Sequence, residues 1–158
     1  MIIIEDTRNQ IEKHSNIHKY CEENGISIVR SKLVVGDYTL PTNQQICIDT
    51  KQNMNEVYSN LTEYRRFHNE YVLAEKLGIT LVILIEDSDI RSIYDVALWI
   101  NPLEFRFQRG LIKQKPRPST AIYKQMLTIQ ERHSVRWEFC SPTKTGETII
   151  RILKEEPP

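Results

Sequence analysis

The chain has 158 residues, of which 40% are hydrophobic and 27% are charged, a composition typical of one soluble globular domain spanning residues 1–158. Its 21 lysines and arginines balance 21 aspartates and glutamates, so net charge neither indicates nor excludes a nucleic-acid partner. The sequence has no run near the ~20 apolar residues of a membrane span and no signal-peptide head. With three cysteines lacking CxxC spacing, it predicts a cytoplasmic protein without membrane contact.

The first part of the chain predicts one helix among four strands. The β-branched run 2–4 predicts a buried strand, and 9–23 an imperfectly amphipathic helix stopped by Asn24-Gly25. A second strand begins at 26–29. Residues 32–40 and 44–51 predict two further strands, joined as a hairpin by Pro41-Thr42-Asn43.

The remaining elements follow in the order helix, strand, helix, loop, helix, strand, helix. A long helix is predicted over 54–77, and the unbroken apolar run 79–85 is typical of a strand covered on both faces. A helix over 90–100, broken by Asn101-Pro102, precedes a basic loop over 105–118. Ser119 is predicted to cap a helix reaching 133, followed by a strand at 135–140 and a helix at 145–154. This order predicts an α/β fold in which helices flank a mixed central β-sheet.

Both strands of the predicted hairpin run from apolar residues into an aspartate, Asp37 in one and Asp49 in the other. If the turn centres on Asn43, the two carboxylates face each other, with Cβ atoms roughly 4.5–5.5 Å apart. A carboxylate within an apolar strand is unfavourable unless it is paired or binds a cation. A divalent cation would relieve the repulsion, and oxygen ligands of this kind suit Mg²⁺ or Mn²⁺.

Lys51 lies two residues after Asp49, so alternation along a strand points both side chains to the same face. An ammonium there orients a water or stabilises charge on a phosphate. Two acids and a lysine in this arrangement predict a metal-assisted phosphodiester hydrolase. The alternative is a surface salt bridge between Lys51 and either aspartate.

These residues resemble a known signature. Gly36-Asp37-Tyr38, Asp49-Thr50-Lys51 and Glu56 together resemble the GD(Y/F)…ERKxxxD motif of the XPF-type nuclease domain, within the PD-(D/E)xK superfamily. Asp6-Thr7-Arg8 resembles that domain's DxR(E) motif, and Ser59-Asn60-Leu61 with Arg65-Arg66-Phe67 resembles its "SL…GR" helix. Its closing strand and helix are resembled by Trp137-Glu138-Phe139-Cys140-Ser141-Pro142 with Thr145. The resemblance extends over nearly the whole chain except the stretch around 88–118.

The chain departs from the family pattern in five respects. Aspartate replaces glutamate at Asp49, threonine replaces the middle arginine at Thr50, and one extra residue separates Lys51 from Glu56. The arginine match is shared between Arg65 and Arg66, and the family's tandem helix-hairpin-helix domain is absent. Arg66-Phe67 with Glu70 is closer to small stand-alone versions from bacteria and phages.

The resemblance implies a restriction-endonuclease-like fold and a metal-dependent hydrolase that cuts branched or structured DNA, as in DNA repair or recombination. It implies that Asp37, Asp49 and the carbonyl of Thr50 bind Mg²⁺, for which Mn²⁺ substitutes, and that Lys51 positions the nucleophilic water. Asp6 would join the metal shell, or else cap the following helix. The auxiliary residues it implies are Arg8, Glu56, Arg66 and Glu70, although the two glutamates are alternatively helix-surface acids.

The family commonly dimerises, which implies a homodimer or a complex with a partner protein. Ile149, Ile150, Ile152 and Leu153 provide an apolar helix face for this contact, and packing on the protein's own sheet explains them equally well. The basic loop predicts DNA contacts through Arg106, Arg109, Lys113, Lys115 and Arg117, or else a solubilising surface. His14 and His18, four residues apart, are predicted to be solvated rather than a metal-binding pair.

Two other functions remain open at this point. One is a non-catalytic DNA-binding or dimerisation module, against which the retained acids and lysine count. The other is a different PD-(D/E)xK activity, of the resolvase or restriction type. The sequence does not separate these enzymatic alternatives.

Overall fold

Six strands form one mixed sheet in the computed structural model, which describes residues 1–155. The strands are β1 (Ile2–Asp6), β2 (Ser27–Ser31), β3 (Tyr38–Thr39), β4 (Ile46–Lys51), β5 (Thr80–Glu86) and β6 (Val135–Cys140). They lie in the order β2-β1-β3-β4-β5-β6, and β3 runs antiparallel to both of its neighbours. The pairs β1–β2, β4–β5 and β5–β6 are parallel. The five strands other than β3 therefore end at one common edge of the sheet.

Six α-helices connect and cover the strands within the described part of the chain. They are α1 (Ser15–Glu23), α2 (Met54–Thr62), α3 (Tyr64–Lys76), α4 (Pro102–Gln108), α5 (Ser119–Arg132) and α6 (Thr145–Leu153). Short 3-10 helices occupy Ile11–His14, Ile93–Leu98 and Pro142–Lys144.

The helices lie on opposite faces of the sheet because the chain moves in opposite directions from its centre. β1 leads through α1 outward to β2, whereas β4 leads through α2 and α3 outward to β5. Right-handed crossovers in opposite directions require helices on opposite faces. Accordingly, Ile17 of α1 packs in one apolar cluster with α6, and Leu61 of α2 packs in the other with α3 and α5.

β5 has apolar side chains at successive positions because both of its faces are covered. Leu81, Ile83 and Ile85 belong to the cluster with α2, α3 and α5, whereas Val82 and Leu84 belong to the cluster with α1 and α6. All five side chains have no exposed surface. The predicted α/β fold, with a mixed sheet between helices, is confirmed, and so is the fully covered strand.

The third strand is much shorter than predicted, since the expected strand over 32–40 is regular only at Tyr38–Thr39. One hydrogen bond and one backbone angle turn the preceding residues out of the sheet. The Leu33 N–H donates to Asp6 Oδ2 over 2.9 Å, and Gly36 has a φ of +71°. A positive φ turns the chain out of an extended path.

Two helix predictions and one loop prediction were wrong in their bounds. The helix predicted over 54–77 is interrupted at Glu63, where φ is −88° and ψ is +55°. The predicted helix over 90–100 is a 3-10 helix at Ile93–Leu98. The loop predicted from 105 begins inside α4, because Asn101 caps that helix through a 3.0 Å bond from the Leu103 N–H and Pro102 occupies its first turn.

Ser119 begins α5 but does not cap it, contrary to the prediction. Pro118 is the N-cap residue and makes no side-chain capping bond. The Ser119 hydroxyl instead donates to the carbonyl of Trp99. Ser119 therefore links α5 to the segment before α4 and does not satisfy the first backbone donors of its own helix.

Candidate active site

A polar cleft of about 450 Å³ opens at the edge where β1, β4 and β5 end. Open α/β sheets bind ligands at this kind of edge, where neighbouring crossovers leave toward opposite faces. Near the end of β4, the cleft is lined by five acids and one lysine, namely Asp37, Asp49, Glu56, Glu70, Glu86 and Lys51. The cleft also receives Asp6 and Arg8 from the end of β1 and Arg66 from α3.

Asp37 and Asp49 meet across the β3–β4 pair. Tyr38 pairs with Ile48, so the β3–β4 register centres on Asn43, as predicted, and the Asp37 N–H donates to the Ile48 carbonyl, next to Asp49, over 2.7 Å. Asp49 points to the same face as Cys47, toward α2 and α3, and only 6% of its surface is exposed. The two carboxylates therefore share one buried corner of the cleft.

One oxygen of Asp37 is satisfied by the protein and the other is free. Asp37 Oδ2 accepts hydrogen bonds from the Thr50 N–H over 2.9 Å and from the Thr50 hydroxyl over 2.7 Å. No group of residues 1–155 donates to Oδ1. Burial first, and then repulsion by Asp49, raise the pKa of Asp37 to about 7 despite the Thr50 bonds. The two acids therefore retain a proton near neutral pH when nothing else compensates their charge.

Lys51 lies beside the second aspartate, with Nζ 2.7 Å from Asp49 Oδ2. Only 13% of the lysine side chain is exposed, so this is a buried ion pair and not the surface salt bridge considered as the alternative. Burial acts to lower the pKa of Lys51, but Asp49 outweighs it and the pKa is raised. Lys51 is therefore a permanent cation. Asp49 Oδ2 is buried, and no donor meets it with hydrogen-bond geometry.

The donor set fits a hard divalent cation. Residues 1–155 contain no group of three or more histidine, cysteine, aspartate or glutamate side chains arranged around a common point. Lys51 is the close partner of Asp49 Oδ2, and no group of residues 1–155 donates to Oδ1 of Asp37 or of Asp49, so each carboxylate keeps one oxygen for a cation. Mg²⁺ is commonly held by one or two carboxylates, with water and substrate phosphate completing its coordination.

Glu70 reaches the same corner from α3. Its Oε1 accepts a 3.1 Å hydrogen bond from the N–H of Gly36, the residue before Asp37. Burial and then Asp49 raise the pKa of Glu70, whereas Gly36, Lys51 and Arg66 act to lower it. Glu70 therefore holds the turn that presents Asp37, and it is not a solvated helix-surface acid. Arg66 lines the cleft, whereas Arg65 does not.

Asp6 has every carboxylate oxygen occupied by the protein. The Arg8 N–H and Nε donate to Oδ1 over 2.7 and 2.8 Å, and Arg8 Nη2 and the Leu33 N–H donate to Oδ2 over 2.6 and 2.9 Å. Burial acts to raise the pKa of Asp6, but these bonds outweigh it and lower the pKa to about 2. The following 3-10 helix has Gln10 at its N-cap, so the helix-capping alternative for Asp6 was wrong.

Glu56 combines a position in the cleft with a structural role. Its Oε2 accepts from the Gln52 N–H over 2.8 Å, and its own N–H donates to Asn53 Oδ1 over 3.0 Å, which together close the first turn of α2. Glu86, which the sequence analysis missed, lines the cleft from the end of β5. Its signal was an acid directly after an apolar strand, the same pattern as Asp49.

The basic segment lies outside the cleft. Arg106, Arg109, Lys113 and Lys115 are exposed, and none of them lines the cleft. Arg117 is held by the fold, since its N–H donates to the Tyr58 hydroxyl over 3.0 Å and its Nη1 donates to Gln125 Oε1 over 2.7 Å. Any contact of these residues with a ligand in the cleft would be through a ligand that extends beyond it.

His14 and His18 are not the solvated pair predicted from the sequence. His18 Nε2 lies 2.9 Å from Oε1 of Glu5, a residue with no exposed surface, and the Tyr38 hydroxyl donates to the same oxygen over 2.8 Å. His14 Nδ1 lies 2.8 Å from that hydroxyl, and Arg30 Nε lies 3.2 Å from Glu5 Oε2. A polar network behind the cleft thus joins α1 to the sheet.

The apolar face of α6 is occupied by the protein itself. Ile149, Ile150, Ile152 and Leu153 are buried against β1, β4 and β5 with α1. Of the two explanations left open, packing on the protein's own sheet is therefore correct. In residues 1–155, no helix is both long and apolar enough to span a membrane.

The sequence matches no protein-family profile and no curated protein sequence. Among solved structures, XPF from Aeropyrum pernix superposes with a TM-score of 0.66 at 18% sequence identity, over 98% of this chain and 64% of that one. XPF from Aeropyrum pernix in complex with DNA superposes with a TM-score of 0.64 at 18% identity, over 97% of this chain and 63% of that one. This chain thus spans less than two thirds of XPF and has its fold, as the motif resemblance implied.

Proposed function

We propose that the protein is a metal-dependent endonuclease that hydrolyses phosphodiester bonds of DNA. The observation that carries the proposal is the meeting of the Asp37 and Asp49 carboxylates beside the Lys51 ammonium, at the strand-end edge of the sheet. The fold shared with XPF, which has also been solved with DNA, supports the same assignment. The cleft is polar and open, as a substrate with a charged backbone requires.

Asp37, Asp49 and the carbonyl of Thr50 are the groups proposed to hold Mg²⁺, or Mn²⁺ in its place. When bound, the ion supplies charge stabilisation for the phosphate and a water of lowered pKa. The Thr50 N–H and hydroxyl keep Asp37 Oδ2 in place and leave Oδ1 directed to the ion. Glu70 fixes the preceding turn through Gly36.

Lys51 acts in this proposal as a hydrogen-bond donor and a positive charge, not as a base. Its raised pKa keeps it protonated at neutral pH. From beside Asp49 it orients the nucleophilic water and stabilises negative charge that develops on the phosphate. Arg66, which lines the same cleft, supplies further positive charge for the phosphate, whereas the charge of Arg8 is paired with Asp6. For Asp6, the four protein donors favour a role in holding Arg8 over direct contact with the ion.

The DNA substrate is proposed to be branched or structured, and the pathway to be DNA repair or recombination, in a bacterial or phage-infected cytoplasm. The exposed residues Arg106, Arg109, Lys113 and Lys115, together with Arg117, would contact backbone beyond the cleft without sequence preference. A homodimer or a partner protein completes the proposal. Its contact lies outside the apolar face of α6, because the protein's own core covers that face.

The decisive experiment incubates labelled linear, flap, fork and four-way-junction DNAs with the protein and Mg²⁺, Mn²⁺ or a chelator. We expect metal-dependent cutting by the parent protein and none by Asp49→Asn or Lys51→Ala, each with unchanged circular dichroism. Asp89→Asn and Lys19→Ala, which remove exposed charges outside the cleft, serve as matched controls. Cutting by both cleft variants at the parent rate would exclude the proposal.

The same panel separates the two other functions considered from the sequence. DNA binding without cutting, in any of the metal ions, would identify a non-catalytic binding module. Cutting confined to four-way junctions would indicate a resolvase, and cutting confined to particular duplex sequences would indicate a restriction-type nuclease.

A further inference from the structure

One wall of the cleft comes from a single short segment between β1 and α1, residues 8–14. Five of its residues line the cleft, and every one has a side chain with nitrogen: Arg8, Asn9, Gln10, Lys13 and His14. The acid of this segment, Glu12, is exposed and does not line the cleft. Glu56 and Glu86 line the same cleft from α2 and from the end of β5. Residues 8–14 thus form the cationic side of the cleft, with Arg8 and Lys13 as its cations, whereas the acids of the cleft come from the strand ends and from α2 and α3.

The cationic side is held rigidly by contacts behind it. Arg30 Nη2 donates to the carbonyls of Thr7 over 3.2 Å and Asn9 over 2.7 Å. His14 Nδ1 lies 2.8 Å from the hydroxyl of Tyr38, a residue with no exposed surface. Both ends of the segment are therefore fixed before any ligand arrives, which lowers the entropy lost on binding.

Lys13 is the cation of this wall that is free to bind an anion. The charge of Arg8 is already paired, since Arg8 Nη2 lies 2.6 Å from Asp6 Oδ2. Lys13 is exposed at the cleft and forms no ion pair with any residue from 1 to 155. Lys19, six residues later on α1, is also exposed but lies outside the cleft, 3.9 Å from Glu23.

We propose that residues 8–14 bind a phosphate of the nucleic-acid strand next to the phosphate that is hydrolysed, with Lys13 as its main contact. The inference rests on the proposed function, because it takes the reacting phosphate to lie at Asp37 and Asp49. A strand leaving that point carries one negative charge per nucleotide. The acids that other elements contribute to the cleft repel such a strand, so the backbone leaves along residues 8–14.

The binding test uses the Asp49→Asn protein, without divalent ions, and fluorescent single-stranded and duplex oligonucleotides. Adding Lys13→Ala is expected to raise Kd about fivefold, the upper range for one exposed ion pair. The slope of log Kd against log salt should fall by about 0.7 for single strands and about 0.9 for duplex. Lys19→Ala, the matched control, should leave both quantities unchanged. Because both lysines are exposed, thermal unfolding of the two variants should coincide.

A cleavage test locates the contact on the strand. Each phosphate near the scissile bond is replaced in turn by an uncharged methylphosphonate, and the parent protein should show a raised KM at one adjacent position. For unmodified DNA, Lys13→Ala should have a raised KM and an unchanged kcat. The methylphosphonate at that position should not raise the KM of this variant further. A fall in kcat without a change in KM would instead show that Lys13 acts on the reacting phosphate, and would overturn the inference.

Failure of this inference and failure of the proposed function give different results. If Lys13→Ala binds as the parent does, or if Lys13→Ala and Lys19→Ala weaken binding equally, residues 8–14 are not a phosphate site even though cutting persists. Absence of DNA binding by the parent would also overturn it. If DNA binds and depends on Lys13 but no substrate is ever cut, the nuclease assignment fails and the binding wall stands.

Discussion

Two aspartates at the same edge of the sheet, the buried Asp6 and the half-buried Asp37, have opposite electrostatic surroundings. The Asp6 carboxylate accepts four hydrogen bonds from Arg8 and Leu33, and its pKa falls to about 2 although burial acts to raise it. Asp37 accepts two, both from Thr50 and both on one oxygen, and it faces Asp49. Its pKa rises to about 7. The fold compensates one acid and leaves the other uncompensated.

The difference teaches that burial and position do not identify a reactive acid. Asp6 and Asp37 both line the cleft, and both adjoin apolar strands in the sequence. What separates them is the number of donors that the protein directs at each carboxylate. Asp6 is already a strong internal anion that joins β1 to the loop containing Leu33. The pair Asp37 and Asp49 still requires a cation, and the following four predictions test that distinction.

The largest effect is expected for Asp37→Asn. Removing one of two cation-binding carboxylates should lower the nicking rate by about 10²–10³-fold, a loss comparable with removal of a main electrostatic group from an active site. Stability should not fall, because the change also removes repulsion with Asp49 and the amide oxygen still accepts from Thr50. Steady-state nicking and thermal unfolding measure the two quantities. Nicking within tenfold of the parent would remove Asp37 from the site.

Asp6→Asn should act mainly on stability. Loss of a carboxylate bonded to Arg8 and Leu33 should cost about 2 kcal/mol of unfolding free energy at pH 7, measured by urea titration. Because the folded pKa is lowered, this contribution is present above about pH 4 and is lost as pH falls through about 2, so the variant and parent should converge there. A 10³-fold loss of nicking without any loss of stability would place Asp6 in the metal shell instead.

Gly36→Ala tests the backbone turn that precedes Asp37. Gly36 has a φ of +71°, and an added Cβ would lie 3.0 Å from the Ile48 carbonyl oxygen. Gly25→Ala is the matched control, because its φ is +64° but an added Cβ would meet nothing within 4 Å. The control should lose about 1–2 kcal/mol from backbone strain alone. Gly36→Ala should lose more, and it should also lose nicking activity by displacing Asp37; equal losses and unchanged activity would contradict this.

The smallest expected effect is the number of protons released when Mg²⁺ binds. Since the Asp37 and Asp49 pair retains a proton with a pKa near 7, Mg²⁺ binding at pH 6.5 should release up to about one proton, and its affinity should rise with pH through 7. Calorimetry in buffers of different ionisation enthalpy measures the release. The Asp37→Asn protein should release none. Without divalent ions, the same raised pKa predicts that stability falls as pH rises from about 4 to 7.

The part of the site that could be predicted from the sequence is the part that depends on local geometry. Asp37, Asp49 and Lys51 lie on two strands joined by a short turn, so alternation and the centre of the turn were sufficient to bring them together. Glu86 and Lys13 could not be found in this way, because they enter the cleft from a parallel strand and from the segment before α1. Their positions depend on how the crossovers place β1, β4 and β5 side by side.

The amino-acid sequence by itself determined the order of the strands along the chain, the strand covered on both faces and the centre of the turn that brings the two aspartates together, since each follows from patterns within a few residues. Only the tertiary structure decided which acids are already satisfied. The donor to Asp6 from Leu33 lies 27 residues away in the chain, and Glu70 lies 34 residues from the glycine it holds. The number of hydrogen bonds that each carboxylate accepts depends on groups that meet only after the sheet has assembled, so a local sequence pattern does not show it.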